Sequence, residues 1–164
     1  MNLSKNKKKL HNKTTTNESF KIKEDSDGSK SWYLNGERHR TDGPACEWAN
    51  GSKEWYLNGK HHRTDGPAIE GADGSKSWYL NGKYHRTDGP AIELADRSKA
   101  WYLNGKPHRT DGPAIEWANG TKEWYLNGKY LTETAWKAAV NPVPTCDGKT
   151  VDIDGRTYKL TLQP

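Results

Sequence analysis

The sequence predicts an all-β protein: an elongated antiparallel meander of tandem 23-residue β-hairpin repeats, with a short C-terminal helix and a capping hairpin. Three observations carry that prediction. The stretch "WYLNGERHRTDGPA" (32–45) returns nearly unchanged from Trp55, Trp78 and Trp101, and a fifth copy opens with "WYLNG" at Trp124, a period of 23 residues. Each copy holds two turn dipeptides between β-prone residues, and the second is always Asn-Gly, the strongest short-range hairpin signal. Hydrophobic residues make up 31% of the 164-residue chain, with eight Trp and eight Tyr against one Phe. Such a composition suits a thin body that buries one stripe per repeat better than a thick core.

Residues 1–26 read as a basic, disordered N-terminal tail. Residues 1–23 hold seven Lys against Glu18, which leaves 19 basic and 20 acidic side chains in the other 141 residues. The net charge of +5 therefore belongs to the tail. A Lys-rich arm centred on Lys7, Lys8 and Lys9 is either a solvated leader or a nonspecific contact to nucleic acid or acidic membrane. No apolar stretch follows it as a secretory signal requires, and no apolar run is long enough to span a bilayer. Cys46 and Cys146 do not make a disulfide framework. These features predict a cytoplasmic protein.

Residues 27–130 read as five repeats. A two-residue turn at Asn50-Gly51 would set Glu47 opposite Glu54 and Cys46 opposite Trp55. Another at Asn58-Gly59 would set Tyr56 opposite His61 and Trp55 opposite His62. With side chains alternating, one face gathers Cys46, Trp48, Trp55, Leu57 and His62 as the packed side. The opposite face gathers Glu47, Glu54, Tyr56 and His61. That second face carries the row Tyr33, Tyr56, Tyr79, Tyr102 and Tyr125, edged by Glu47, Glu70, Glu93 and Glu116. The slot after Asn-Gly varies most, as Arg38, His61, Tyr84, Pro107 and Tyr130, and variation at an outward slot suits solvent or a ligand. Cys46 stands where the other copies have Ile69, Ile92 and Ile115, as a small buried hydrophobe. "HRTDGPA" turns the chain toward the next copy, with Pro at an edge and Arg and Asp placed to brace neighbouring copies by an ion pair.

Residues 131–164 read as a cap. Thr132 is placed to N-cap a short helix with Trp136, Ala139 and Val140 on one face, ending before Pro142. "TVDIDGRTYKLTL" (150–162) follows as a closing hairpin about Asp154-Gly155. A distinct terminal unit seals the last apolar face of a repeat stack.

His39, His62, His85 and His108 recur once per copy, as do Arg40, Arg63, Arg86 and Arg109, and Asp42, Asp65, Asp88 and Asp111. His beside Asp suits acid–base chemistry and a ladder of His suits a metal. Catalytic sites are singular, whereas these groups come in equal copies, so the histidines read as structural. "DSDGSK" (25–30) and "DIDG" (152–155) lack the spacing of a calcium loop and read as turns. There is no phosphate loop, nucleophile elbow or CxxC. The expectation is a non-enzymatic protein with no catalytic residue, metal or cofactor.

The skeleton of "WYLNGKHHRTDG" (55–66), W-x-x-NGK-x-H-x-x-G at a 23-residue period, resembles MORN-type repeats. It is most similar to the bacterial variant and to "WYLNGKxHRxDGPA" arrays of bacteriophages and large DNA viruses. The resemblance covers about residues 27–130, and "LTETAW" (131–136) is similar to the way such viral arrays end. It implies a β-hairpin array that serves as a scaffold, a membrane-associated module or an antitoxin. Most of the extra glycines of eukaryotic MORN units are missing here, so lipid binding is not carried over.

Together these point to a repeat scaffold that occupies a protein partner, as a phage or viral accessory or anti-defence inhibitor, or an antitoxin-like protein, in the host cytoplasm. The contact set would be Tyr33, Tyr56, Tyr79, Tyr102 and Tyr125 with Arg38, His61 and Tyr84, since Tyr gives contact area at low entropic cost. The same row could instead only stiffen the sheet. A second reading is a nucleic-acid or anionic-nucleotide binder using Arg40, Arg63, Arg86 and Arg109 with Lys7, Lys8 and Lys9, although a stacking platform needs a basic groove. A third is a structural or virion-associated protein.

Overall fold

The turns decide the architecture, and the two in each copy differ in kind. The structure, a computed structural model, describes residues 19–142 and 148–160. Lys7, Lys8, Lys9, Cys146 and Leu162 lie outside the described residues. At the second turn of each copy, Asn35, Asn58, Asn81, Asn104 and Asn127 take φ between 49° and 53°, and the glycines after them 70° to 85°. Two successive left-handed residues are what a two-residue type I′ hairpin requires. Tyr56 pairs with His61 and Leu57 with Lys60, as the spacing predicts.

At the first turn the left-handed residue is Gly51 alone, at φ 89°. Trp48 donates its N–H to the carbonyl of Ser52, and Gly51 donates to that of Trp48, so the loop has three residues rather than two. Asn50 contributes through its side chain, whose Oδ1 accepts the Ser52 N–H at 2.9 Å. That local bond competes with the left-handed conformation a type I′ turn would ask of Asn50.

The extra loop residue moves the pairing by one. Cys46 lies opposite Glu54 and Glu47 opposite Lys53, which corrects the expected Cys46–Trp55 and Glu47–Glu54 pairs. A single step of register carries every side chain beyond it to the other face. Cys46, Trp48, Glu54, Tyr56 and His61 therefore share one side, and Trp55, Leu57 and His62 lie on the other with Glu47. Cys46 and Trp48 thus stay on the packed side, and beyond the first turn Glu54, Tyr56 and His61 join them in place of Trp55, Leu57 and His62. Ala45, Cys46 and Tyr56 form a buried cluster with Trp48 against it, so the tyrosine side holds this core. Cys46 is fully buried, as its place in the Ile slot implies.

Short strands, Cys46–Glu47 and Lys53–Glu54 and their equivalents, pair in succession into a 12-stranded antiparallel meander running from Phe20–Glu24 to Lys129–Leu131. The sheet does not close into a barrel. At Trp55 the chain leaves this ladder: its N–H donates to Ala68 and its carbonyl accepts from His62. The hairpin Tyr56–Leu57/Lys60–His61 thus stands apart from the main sheet. It is tied to the preceding copy by Arg40 N–H to Tyr56 at 3.1 Å and Gly59 N–H to Arg38 at 3.0 Å. Serine adds a third tie: Ser29, Ser52, Ser75 and Ser98 each accept, on Oγ, the N–H of the alanine 20 residues ahead at 2.9–3.0 Å.

The ends differ from the repeats. Phe20–Glu24, inside the segment expected to be tail, is a strand paired with Lys30–Leu34. Alternation of Phe20 and Ile22 with Lys21 and Lys23 places the apolar pair beside Leu34 and Trp32. At the other end Thr132 caps the helix Glu133–Val140, its Oγ1 accepting the Ala135 N–H at 3.2 Å. Trp136 from this helix is 6% exposed. The predicted hairpin forms at Thr150–Ile153 and Arg156–Lys159 about Asp154-Gly155. Both of its strands are exposed along their length, so the helix and not the hairpin buries apolar surface at this end.

Candidate functional site

Each "HRTDGPA" loop is held by its own arginine. Arg40 donates Nε–H to Asp42 at 2.9 Å and Nη1–H to the Pro44 carbonyl and to Glu47, both at 3.1 Å. Its guanidinium lies 4.1 Å from the centroid of the Trp32 ring. Arg63, Arg86 and Arg109 repeat this on Trp55, Trp78 and Trp101 at 3.8–3.9 Å. The Arg–Asp pair thus braces one loop, where the sequence suggested a brace between neighbouring copies. Two residues of separation suit a tight turn and fall short of the next copy. The arginine hydrogen bond holds Asp42, Asp65, Asp88 and Asp111 below the usual carboxylate range. Each guanidinium is compensated by two carboxylates and stacked on an indole, so this set offers an incoming anion little unbalanced charge.

The histidines link the copies. His39 Nδ1 lies 2.8 Å from the Asn58 side-chain Oδ1 and 3.2 Å from its backbone N. His62 and His85 meet Asn81 and Asn104 in the same way, and His108 Nδ1 accepts the Asn127 N–H at 3.0 Å. Each His thereby supports the left-handed Asn of the following turn, a structural role.

Between successive copies the Trp–Leu side opens into clefts. The first, about 440 Å³, has Arg40–Gly43 as one wall, Trp55, Leu57 and His62 as its floor, and Thr64 and Asp65 opposite. The next two repeat it at about 480 and 450 Å³ over Trp78 and Leu80, then Trp101 and Leu103. At the N-terminal end a cleft of about 560 Å³ includes Phe20 and Ile22 beside Trp32 and Leu34.

On the opposite side the tyrosines stack on one another. Ring centroids run Tyr56–His61 at 4.1 Å, His61–Tyr79 at 5.0 Å, Tyr79–Tyr84 at 4.2 Å and Tyr84–Tyr102 at 5.3 Å. Tyr125 meets Tyr130 edge-on at 5.4 Å. Arg38 lies over the Tyr56 and Trp48 rings at 5.4 and 5.7 Å. The variable slot is therefore interleaved in the ladder. Of the expected contact set, Tyr56 is buried at 8% exposure. Tyr33, Tyr79, Tyr102, Tyr125, Arg38, His61 and Tyr84 are half-buried.

Within the ladder sits a polar cluster that joins Glu54, Tyr56 and His61, expected on one face, to Trp48, expected on the other. Glu54 accepts from Tyr56 at 2.7 Å and Trp48 Nε1 at 2.8 Å, and lies 3.1 Å from His61 Nε2. The hydrogen bonds from His61, Tyr56 and Trp48 bring its carboxyl down to about 2. Burial and the Glu54 carboxylate push Tyr56 up to about 12. Glu123 repeats part of it, accepting from Trp117 at 2.7 Å and Tyr125 at 3.1 Å. The signal was Trp and Glu six residues apart in "WANGSKE" (48–54) and "WANGTKE" (117–123), replaced together by Gly71/Ser77 and Leu94/Ala100 in the copies between.

Among the described residues, no group of three or more His, Cys, Asp or Glu is placed to hold a metal ion, and no helix is long and apolar enough to cross a membrane. No protein-family model and no curated protein matches the chain.

Proposed function

We propose that the protein is a non-enzymatic, MORN-like repeat scaffold that docks a protein partner along the row of clefts on its Trp–Leu side. One observation carries this reading: three clefts of near-equal volume and the same make-up follow one another on successive copies. Each offers an apolar floor ringed by polar groups, the combination that interfaces use. The tyrosine ladder supports it from the other side, because its rings already contact one another. In the phage-like setting that the repeat text suggests, the partner is a host or defence protein in the cytoplasm, inhibited by occupation. The compensated arginines argue against the nucleotide reading.

Affinity capture from host lysate tests this. A partner held by the wild type at high salt and lost with Leu57→Glu plus Leu80→Glu, with circular dichroism unchanged, is the expected result. Recovery of nucleic acid alone, released by raising salt, would overturn it in favour of the second reading.

A further inference from the structure

The fourth cleft between copies, over Trp124, is filled by the chain itself. Trp136 from the capping helix packs against Trp124 with ring centroids 4.6 Å apart. Its Nε1–H donates to the carbonyl of Arg109 at 2.9 Å, bridging from one wall of the cleft to the other. Under it Gly112 and Pro113 are buried, whereas their equivalents Gly43, Gly66 and Gly89 and Pro44, Pro67 and Pro90 are half-buried. In the open clefts the corresponding carbonyls of Arg40, Arg63 and Arg86 receive no backbone N–H from the described residues. Thr132 stands where the fifth copy would place its arginine, so Trp136 reaches an indole that no guanidinium covers. In the open clefts a ring would instead lie against the leucine floor and the loop wall.

Resting on the docking reading, we propose that each open cleft takes a tryptophan side chain of the partner, with its indole N–H on the free arginine carbonyl and Trp136 as the built-in example. The partner segment is an amphipathic helix. One copy advances two strands of the main sheet, about 9.6 Å, and residues seven apart on a helix are separated by about 10.5 Å. Tryptophans at i and i+7 therefore reach two adjacent clefts.

A synthetic helical peptide with Trp at i and i+7, titrated into the isotope-labelled full chain, tests this by amide chemical shift. Shifts centred on Arg40–Gly43, Arg63–Gly66 and Arg86–Gly89 are expected. Binding should weaken about fivefold to tenfold when one Trp is replaced by 1-methyltryptophan, which lacks the N–H, and vanish when both are Ala. Leu80→Glu should remove the shifts at the central cleft while the Trp136 resonances stay in place. No binding at millimolar peptide, equal binding of the Ala peptide, or shifts confined to the tyrosine ladder would overturn the proposal. If the peptide fails while a captured partner is still lost on Leu57→Glu plus Leu80→Glu, the tryptophan anchor falls and the docking reading stands. If the peptide binds and the captured partner is indifferent to those variants, the docking reading falls instead.

Discussion

Glu54 sits in an environment that the next two copies lack, since Ser77 and Ala100 stand at its place in them. Its carboxyl titrates near 2 in the fold, against an ordinary 4.5. Because the folded value is the lower one, its stabilisation is complete above pH about 4.5 and is lost as pH falls toward 2. Glu54→Gln should lower stability by about 1–3 kcal/mol at neutral pH and flatten the acid limb of a pH–stability profile measured by urea unfolding. An unchanged acid limb would show that the cluster does not govern it. The left-handed asparagines make a second residue-scale prediction. Asn81→Ala should cost about 1–2 kcal/mol, because alanine keeps the Cβ that the conformation disfavours and loses the polar side chain that offsets it, whereas Asn81→Gly should cost less because glycine adopts it freely. Thermal unfolding of the pair separates the two. These asparagines were legible in the sequence because Asn-Gly favours the left-handed conformation that a two-residue hairpin turn requires at both positions. The Glu54 cluster was legible in part: alternation puts Glu54, Tyr56 and His61 on one face, but Trp48 falls on the other in the expected register, which differs from the observed one by a single step.

At the scale of elements, the second hairpin of each copy and the capping helix follow directly from local chemistry. Thr132 supplies the cap and Pro142 the stop, and no distant contact is needed to place either. The first turn shows the limit. Asn50-Gly51 is the same dipeptide as Asn58-Gly59, yet it forms a three-residue loop in which the Asn50 side chain accepts the Ser52 N–H, whereas Asn58 is held by His39 of the preceding copy. The bond recurs in the other copies, at Asp27, Asp73, Asp96 and Asn119, so the one-step register, and with it the side that each Trp and Tyr faces, repeats along the array. The cap divides into parts of unequal weight. Trp136→Ala should destabilise by about 3–5 kcal/mol, the usual cost of emptying a buried aromatic site, whereas removing residues 148–164 should shift stability by less than about 0.5 kcal/mol. Chemical denaturation of the two variants reports the difference, and equal losses would show that the hairpin shares in closing the array.

For the whole molecule, two contacts that join copies are the same at each step: histidine to asparagine and serine to alanine. Such a body is close to one-dimensional, with stability built from units and their nearest-neighbour interfaces. Deleting residues 69–91, one full period, should leave a cooperatively folded protein of lower stability and one cleft fewer, as seen by circular dichroism and thermal unfolding. Loss of folding would mean that the copies are not interchangeable. The docking side depends on the same geometry, since the register determines whether the tyrosines or the Trp–Leu clefts face a partner. Cross-strand disulfides test that register most directly, in a background of Cys46→Ala and Cys146→Ser. Glu47 lies opposite Lys53, so Glu47→Cys with Lys53→Cys should oxidise to an intramolecular disulfide seen by intact mass, and Glu47→Cys with Glu54→Cys should remain reduced. The reverse outcome would contradict the observed register and return the tyrosine row to the outside.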